Sequence, residues 1–176
     1  MANTYTAIST VTVGSGGASS IDFSSIPGTY TDLQLILSIR TDTATSQEDI
    51  GYRFNGDTGN NYSFIYLYGQ NSSSGSLSYA TQPKMYAGLY DSDGNTANTF
   101  GSGQIYIPNY AGSSYKSSSA EAVAEQNGTT GWTVMMLANL WSSTSAITSI
   151  SIFSITANKK LNQYSTATLY GIKNTV

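Results

Sequence analysis

Asp32-Leu33-Gln34-Leu35-Ile36-Leu37-Ser38-Ile39-Arg40 alternates almost without a break. Leu33, Leu35, Leu37 and Ile39 fall on one face; Gln34, Ser38 and Arg40 fall on the other, interrupted by Ile36. A period of two is that of a half-buried β-strand. The four aliphatic residues are therefore expected in a core, where burying each contributes roughly 1.5–3 kcal/mol. The same reading fits residues 5–13, with Tyr5, Ala7, Val11 and Val13 on one side, and residues 50–54 and 62–68. It extends to 19–23, 84–90, 100–107, 117–125, 132–141, 147–155 and 164–172.

Turn chemistry separates these runs. Gly14 to Gly17, Asn55-Gly56-Asp57, Asp93-Gly94-Asn95 and Asn127-Gly128 supply residues that accept positive φ. Residues 120–126 (AEAVAEQ) and 134–139 (VMMLAN) have some helical composition, but Gly, Ser or Thr bounds each closely, and both are read as strand. Ten or eleven strands within one domain, residues 1–176, predict an all-β fold: a jelly-roll-like antiparallel β-sandwich. An immunoglobulin-like sandwich is disfavoured by the strand count and by the missing Cys…Trp…Cys pattern. The polar stretches 41–49, 69–82, 91–98 and 109–116 read as connections above the framework, where interactions concentrate.

Composition narrows the function. The 176 residues include no His and no Cys, and only 17 are charged; 28 are Ser, 22 Thr, 17 Gly and 14 Tyr. Without His or Cys, a Ser-His-Asp triad, a Cys-His dyad and a Cys/His zinc site are excluded. At 12% aromatic the chain is too rich in rings for a disordered one. The net charge is −3 and the seven cations are dispersed, with Lys159-Lys160 the only adjacent pair, so no basic stripe for nucleic acid exists. No run approaches the ~18 apolar residues of a membrane helix, and residues 4–13 are too polar for a signal peptide. The sequons at Asn61, Asn71 and Asn127 are read as chance matches in a Ser/Thr-rich chain. Synthesis in a cytoplasm is expected.

Four groups of residues were weighed for chemistry. Asp91-Ser92-Asp93-Gly94-Asn95 superficially suggests a calcium loop, but its glycine comes fourth and its twelfth position is Ser102, so a turn is expected. Asp57-Thr58-Gly59-Asn60-Asn61 receives the same reading. Glu121 and Glu125 lie four residues apart on one strand, about 13 Å, whereas a glycosidase acid pair sits about 5–9.5 Å apart. A pair formed across the fold, such as one glutamate with Asp49, stays open. Trp132 and Trp141, nine residues apart, fall on opposite faces of one strand, so at most one can face a ligand. No catalytic, cofactor-binding or metal-binding residue is assigned. The tyrosine surplus suits partly wet interfaces of a permanently assembled subunit.

Several stretches resemble short virion proteins of tailed bacteriophages, especially cyanophage-like ones. MANTYTAISTVTVGSGGASSIDFSSIPGTYTDLQLILSIR (1–40) looks like the family's opening, and IGYRFNGDTGNNYS (50–63) and NTFGSGQIYIPNYAG (98–112) are similar to its central segments. QYSTATLYGI (163–172) looks like the strand that closes many phage jelly rolls. The resemblance implies a virion structural protein without enzymatic activity, with no cofactor or metal. A capsid decoration, or cement, protein is the first expectation: a homo-oligomer, a trimer, bound to the major capsid protein on the outer shell, with neither nucleic acid nor membrane as partner. The alternative is a tail- or fibre-associated module that recognises a host surface glycan. Clustered aromatics over a groove would favour the alternative; a flat apolar patch on one edge would favour the first.

Overall fold

The structure, a computed structural model, describes residues 4–129 and 131–173. Strands β1 (Thr4–Thr12), β3 (Asp32–Thr41), β5 (Tyr62–Gln70), β6 (Ser73–Gln82) and β8 (Gly101–Ile107) belong to a large sheet. So do β9 (Lys116–Ala124), β10 (Thr133–Trp141) and β12 (Thr166–Lys173). Their order is β1-β12-β3-β8-β9-β10-β5-β6. A smaller sheet, in the order β2-β11-β4-β7, comprises β2 (Ile21–Phe23), β4 (Gln47–Phe54), β7 (Met85–Ser92) and β11 (Ile150–Ser154). The chain is all-β, with no helix among the described residues, and its strands form the jelly-roll-like sandwich that the alternation predicts. Pairing is antiparallel except at one corner, where Arg40 and Thr41 of β3 run parallel to Asp91 and Ser92 of β7 and join the two layers.

The core lies between the sheets. Leu33, Leu35, Leu37 and Ile39 are all at most 1% exposed, as their alternation requires. Facing them are Ile50, Tyr52 and Phe54 of β4 and Ile150 and Ile152 of β11, also buried. Tyr52 spans the layers and shares a 2.6 Å hydrogen bond with Ser118 of β9. The Ala-rich segment is strand for a packing reason. Ala120, Ala122 and Ala124 point inward, where β7 approaches so closely that a Cβ on Gly88 (φ +113) would sit 2.4 Å from the Ala122 Cβ. Only small residues fit that crossing, and the demand for them overrides helix propensity.

Three expectations are corrected. Residues 73–82, read as part of a connection, form β6, which makes twelve strands among the described residues. This edge strand is exposed along nearly its whole length, so no apolar alternation is required of it. Its signal is instead the two-residue turn after Gln70, with Asn71 at φ +51. In β1, Tyr5 and Ala7 are exposed, because a bulge between Ala7 and Ser9 shifts the register before the half-buried Val11. Arg40, placed by alternation on the polar face, is only 7% exposed, because the loop after β7 folds over it.

Candidate functional site

Each of the two oxygen-rich loops is closed by the chain's own donors. Asp57 accepts the Gly59 amide (2.8 Å), the Asn61 amide (2.9 Å) and the indole Nε1–H of buried Trp141 (2.7 Å). The Trp141 bond first, then Asn61, hold its carboxyl below the ordinary value of 3.8. A depressed folded-state pKa contributes stability at neutral pH and loses it as pH falls through that pKa. Asp57→Ala is therefore expected to cost about 1–3 kcal/mol at neutral pH, mainly by leaving the Trp141 N–H without an acceptor. The deficit shrinks at acid pH. Urea denaturation at both pH values checks this, and an unchanged neutral midpoint would contradict it.

In the second loop a side-chain cation stands at the centre. Arg40 Nε reaches Asp93 Oδ1 at 3.3 Å, and its Nη groups donate to the carbonyls of Asn95, Thr96 and Thr99. Buried Lys116 plays a similar part at the loop before β9, donating to the carbonyls of Gly112 (2.6 Å) and Ser114 (2.5 Å). Burial pushes its ammonium below the usual lysine value.

The other candidates separate. Glu121 projects from the outward face of the large sheet, and Gln104 donates to it at 2.5 Å. Glu125 lies beyond the end of β9 and accepts the Asn127 amide at 2.6 Å. Asp49 stands beside Phe64, Tyr66 and Tyr86, among residues of the opposite, inward face, so no acid pair is assembled between it and Glu121. Trp132 is 43% exposed, whereas Trp141 packs edge-on against Phe54 in the core; they do face opposite ways.

Two surfaces remain that the interior of this chain does not use. The first is the outward face of the large sheet. Val134, Met136 and Ala138 of β10 register beside Ile65 and Leu67 of β5 and Val123 of β9. Met136 is 64% exposed, and Leu67 and Val134 are more than half exposed. Glu121 is the one charged side chain among the outward positions of β8, β9, β10, β5 and β6. Sequence reasoning passed over this face, although its signal is present. TVMMLANLW and SFIYLY are apolar on both faces, the pattern of strands covered on both sides.

The second surface is a cleft between the inward side of the β5–β6 hairpin and the β4–β7 edge of the small sheet. It encloses about 190 Å³. Phe64, Tyr66 and Tyr79 line it with Tyr86, and Asp49, Gln82 and Lys84 supply its polar groups. Tyr86 donates its hydroxyl to Asp49 Oδ1. Burial, before the countering Tyr86 bond, raises the Asp49 carboxyl above its ordinary value, and burial pushes the Tyr66 phenol up to about 12. A larger depression of about 460 Å³ opens beside Arg40, and several of its polar groups are engaged within the chain. Lys160 bonds Gly16 O and Asp42 Oδ1, and Asn162 bonds Thr41 O and Asp93 Oδ1. Compared with family models, with curated proteins and with solved structures, the chain matches none.

Proposed function

We propose that this chain is a non-enzymatic structural subunit that works by assembling with copies of itself. The particle it builds into is taken from the resemblance: a phage virion, with the chain as a capsid decoration protein on the outer shell. The observation that carries assembly is the uncovered apolar face of the large sheet. A strand that is apolar on both sides is ordinarily covered on both, and large uncovered apolar patches mark interaction sites. The apolar stripe runs over β10 and β5 with Val123 of β9, roughly 10 by 24 Å, and the outward Ser74, Ser76 and Ser78 of β6 and Ser117 and Ser119 of β9 flank it. An apolar centre with a polar rim is the make-up of a protein interface.

The edges add support. β1 and β6 close the large sheet, and neither contains a charged residue or a proline within its bounds. Monomeric proteins commonly blunt such edges with Lys, Pro or very short strands. A neighbouring copy would cover them, and a threefold ring fits the threefold points of an icosahedral shell.

The location is tested by an electron-microscopy map of the particle that carries this protein. Density for the twelve-stranded domain on the outer shell is expected. Density only at the tail or fibre tip would replace the decoration reading with the tail-associated one.

A further inference from the structure

We propose that the cleft between the β5–β6 hairpin and the β4–β7 edge binds a neutral saccharide, one sugar ring lying against Tyr66 and Tyr79 with its hydroxyls held by Asp49, Gln82 and Lys84. The ring planes of Phe64 and Tyr66 lie within 18° of parallel, and those of Tyr66 and Tyr79 within 17°. Phe64 and Tyr79 approach to 5.0 Å between centroids, while Tyr86 closes the back of the cluster 5.3 Å from Tyr66. Tyr79 remains 42% exposed because β6 extends beyond the cover of the small sheet. Aromatic surface is thus left open at a cleft mouth rather than consumed in the core.

The polar groups suit hydroxyls, which both donate and accept. Asp49 Oδ1 is taken by Tyr86, but Oδ2 accepts no hydrogen bond from a described residue. Gln82 spends its amide N–H on the Ala80 carbonyl at 2.9 Å, which leaves Oε1 as an acceptor. Lys84 Nζ makes no hydrogen bond to a described residue and supplies donors. An aromatic lining with a few convergent polar groups is the usual make-up of a ligand site. One carboxylate and one ammonium balance, which disfavours a strongly anionic or cationic ligand. The volume lies below the ~300 Å³ of drug-sized pockets, and so fits a single ring with an open end for further units.

Asp49 also costs stability where it stands. Its carboxyl is raised by burial, so the folded state resists its ionisation, and stability is lost as pH rises from the ordinary value of 3.8 through the folded-state pKa. A residue that burdens the fold at neutral pH is a mark of a functional position. Clustered aromatics over a cleft are the feature expected of the tail-associated alternative, so binding here would favour that location; self-assembly through the outward face is tested separately, so either reading can fail alone.

Saturation-transfer NMR on the full chain tests it, with glucose, galactose, mannose, N-acetylglucosamine, cellobiose, lactose and chitobiose as probes. At least one probe is expected to receive saturation at millimolar concentration. Asp49→Asn and Tyr79→Ala should each weaken that probe at least about tenfold, the size expected of a central contact. Asp49→Asn keeps an acceptor for Tyr86, so its melting temperature at neutral pH should equal or exceed that of the wild type, which separates lost binding from lost folding. Transfer to none of the probes, transfer unchanged in both variants, or stronger transfer to glucuronic acid, run beside them as a charged control, than to every neutral sugar would overturn the proposal.

Discussion

Deleting residues 163–176 is expected to abolish soluble, cooperative folding. β12 is not a terminal tail: it lies inside the large sheet, paired to β1 on one side and β3 on the other. Ala167 and Leu169 are fully buried and Ile172 nearly so. β1 has no strand partner besides β12 among the described residues, so its pairing is lost in the same step. The cut also removes Ser165, whose hydroxyl donates to the Arg40 carbonyl at 3.0 Å and accepts the Arg40 amide at 3.1 Å. Losing Leu169 and Ile172 alone removes roughly 3–6 kcal/mol of burial. Two ladders of backbone bonds go with it, against a total stability of about 5–15 kcal/mol for an ordinary domain. The bared edge of β3 would also invite pairing between chains. Circular dichroism and a thermal melt of the truncated protein decide the matter. A soluble truncation with a cooperative melt would show that the sheet does not need β12.

Arg40→Met is expected to destabilise the protein by about 1–3 kcal/mol, the cost of leaving backbone acceptors around the buried guanidinium without their donor, since Asp93 itself is half exposed. The substitution keeps an apolar stem of similar reach while deleting the guanidinium. The carbonyls of Asn95 and Thr99 then lose their donor, while Asp93 keeps Asn162 and the Thr96 carbonyl keeps Thr99. Asp91 is fully buried nearby; Asn95 donates to its Oδ1. Burial raises the Asp91 carboxyl above the ordinary value, while Asn95 and the Arg40 charge act to lower it. Without Arg40 that carboxyl is raised further, so the loss is largest at neutral pH and narrows in acid, where Asp91 takes up its proton. Urea denaturation at neutral and acid pH measures both effects. Wild-type stability at neutral pH would contradict the account of this loop.

What the sequence made legible follows from physical range. Leu33 to Ile39 could be read because strand period and burial are local and reinforce each other. The opposed directions of Trp132 and Trp141 follow from parity along one run. Of the Ala-rich segment expected as strand over 120–126, residues 120–124 lie in β9 and Glu125 and Gln126 lie beyond it; the reason for strand there, close passage of Gly88, lies more than thirty residues away. β6 escaped because an edge strand buries neither face, leaving no alternation to detect. Arg40 escaped because its partners sit 53 to 59 positions along the chain. The cleft was illegible for the same reason: Asp49, Tyr66, Tyr79 and Tyr86 come from four strands, and no local spacing announces their meeting. The outward apolar face was half visible in TVMMLANLW, a run whose apolar residues occupy both parities.

Light scattering of the wild type beside Met136→Glu tests most directly whether that outward face is an assembly surface. Met136 is 64% exposed and next to Glu121 in the register, so a second carboxylate there should leave the core intact while placing like charges on the face. At micromolar concentration the wild type is expected to have a multiple of 18.7 kDa, three chains in the reading proposed here. Met136→Glu is expected to scatter as a folded single chain of about that unit mass. A monomeric wild type, or a variant with the same mass as a wild-type oligomer, would contradict assembly through this face.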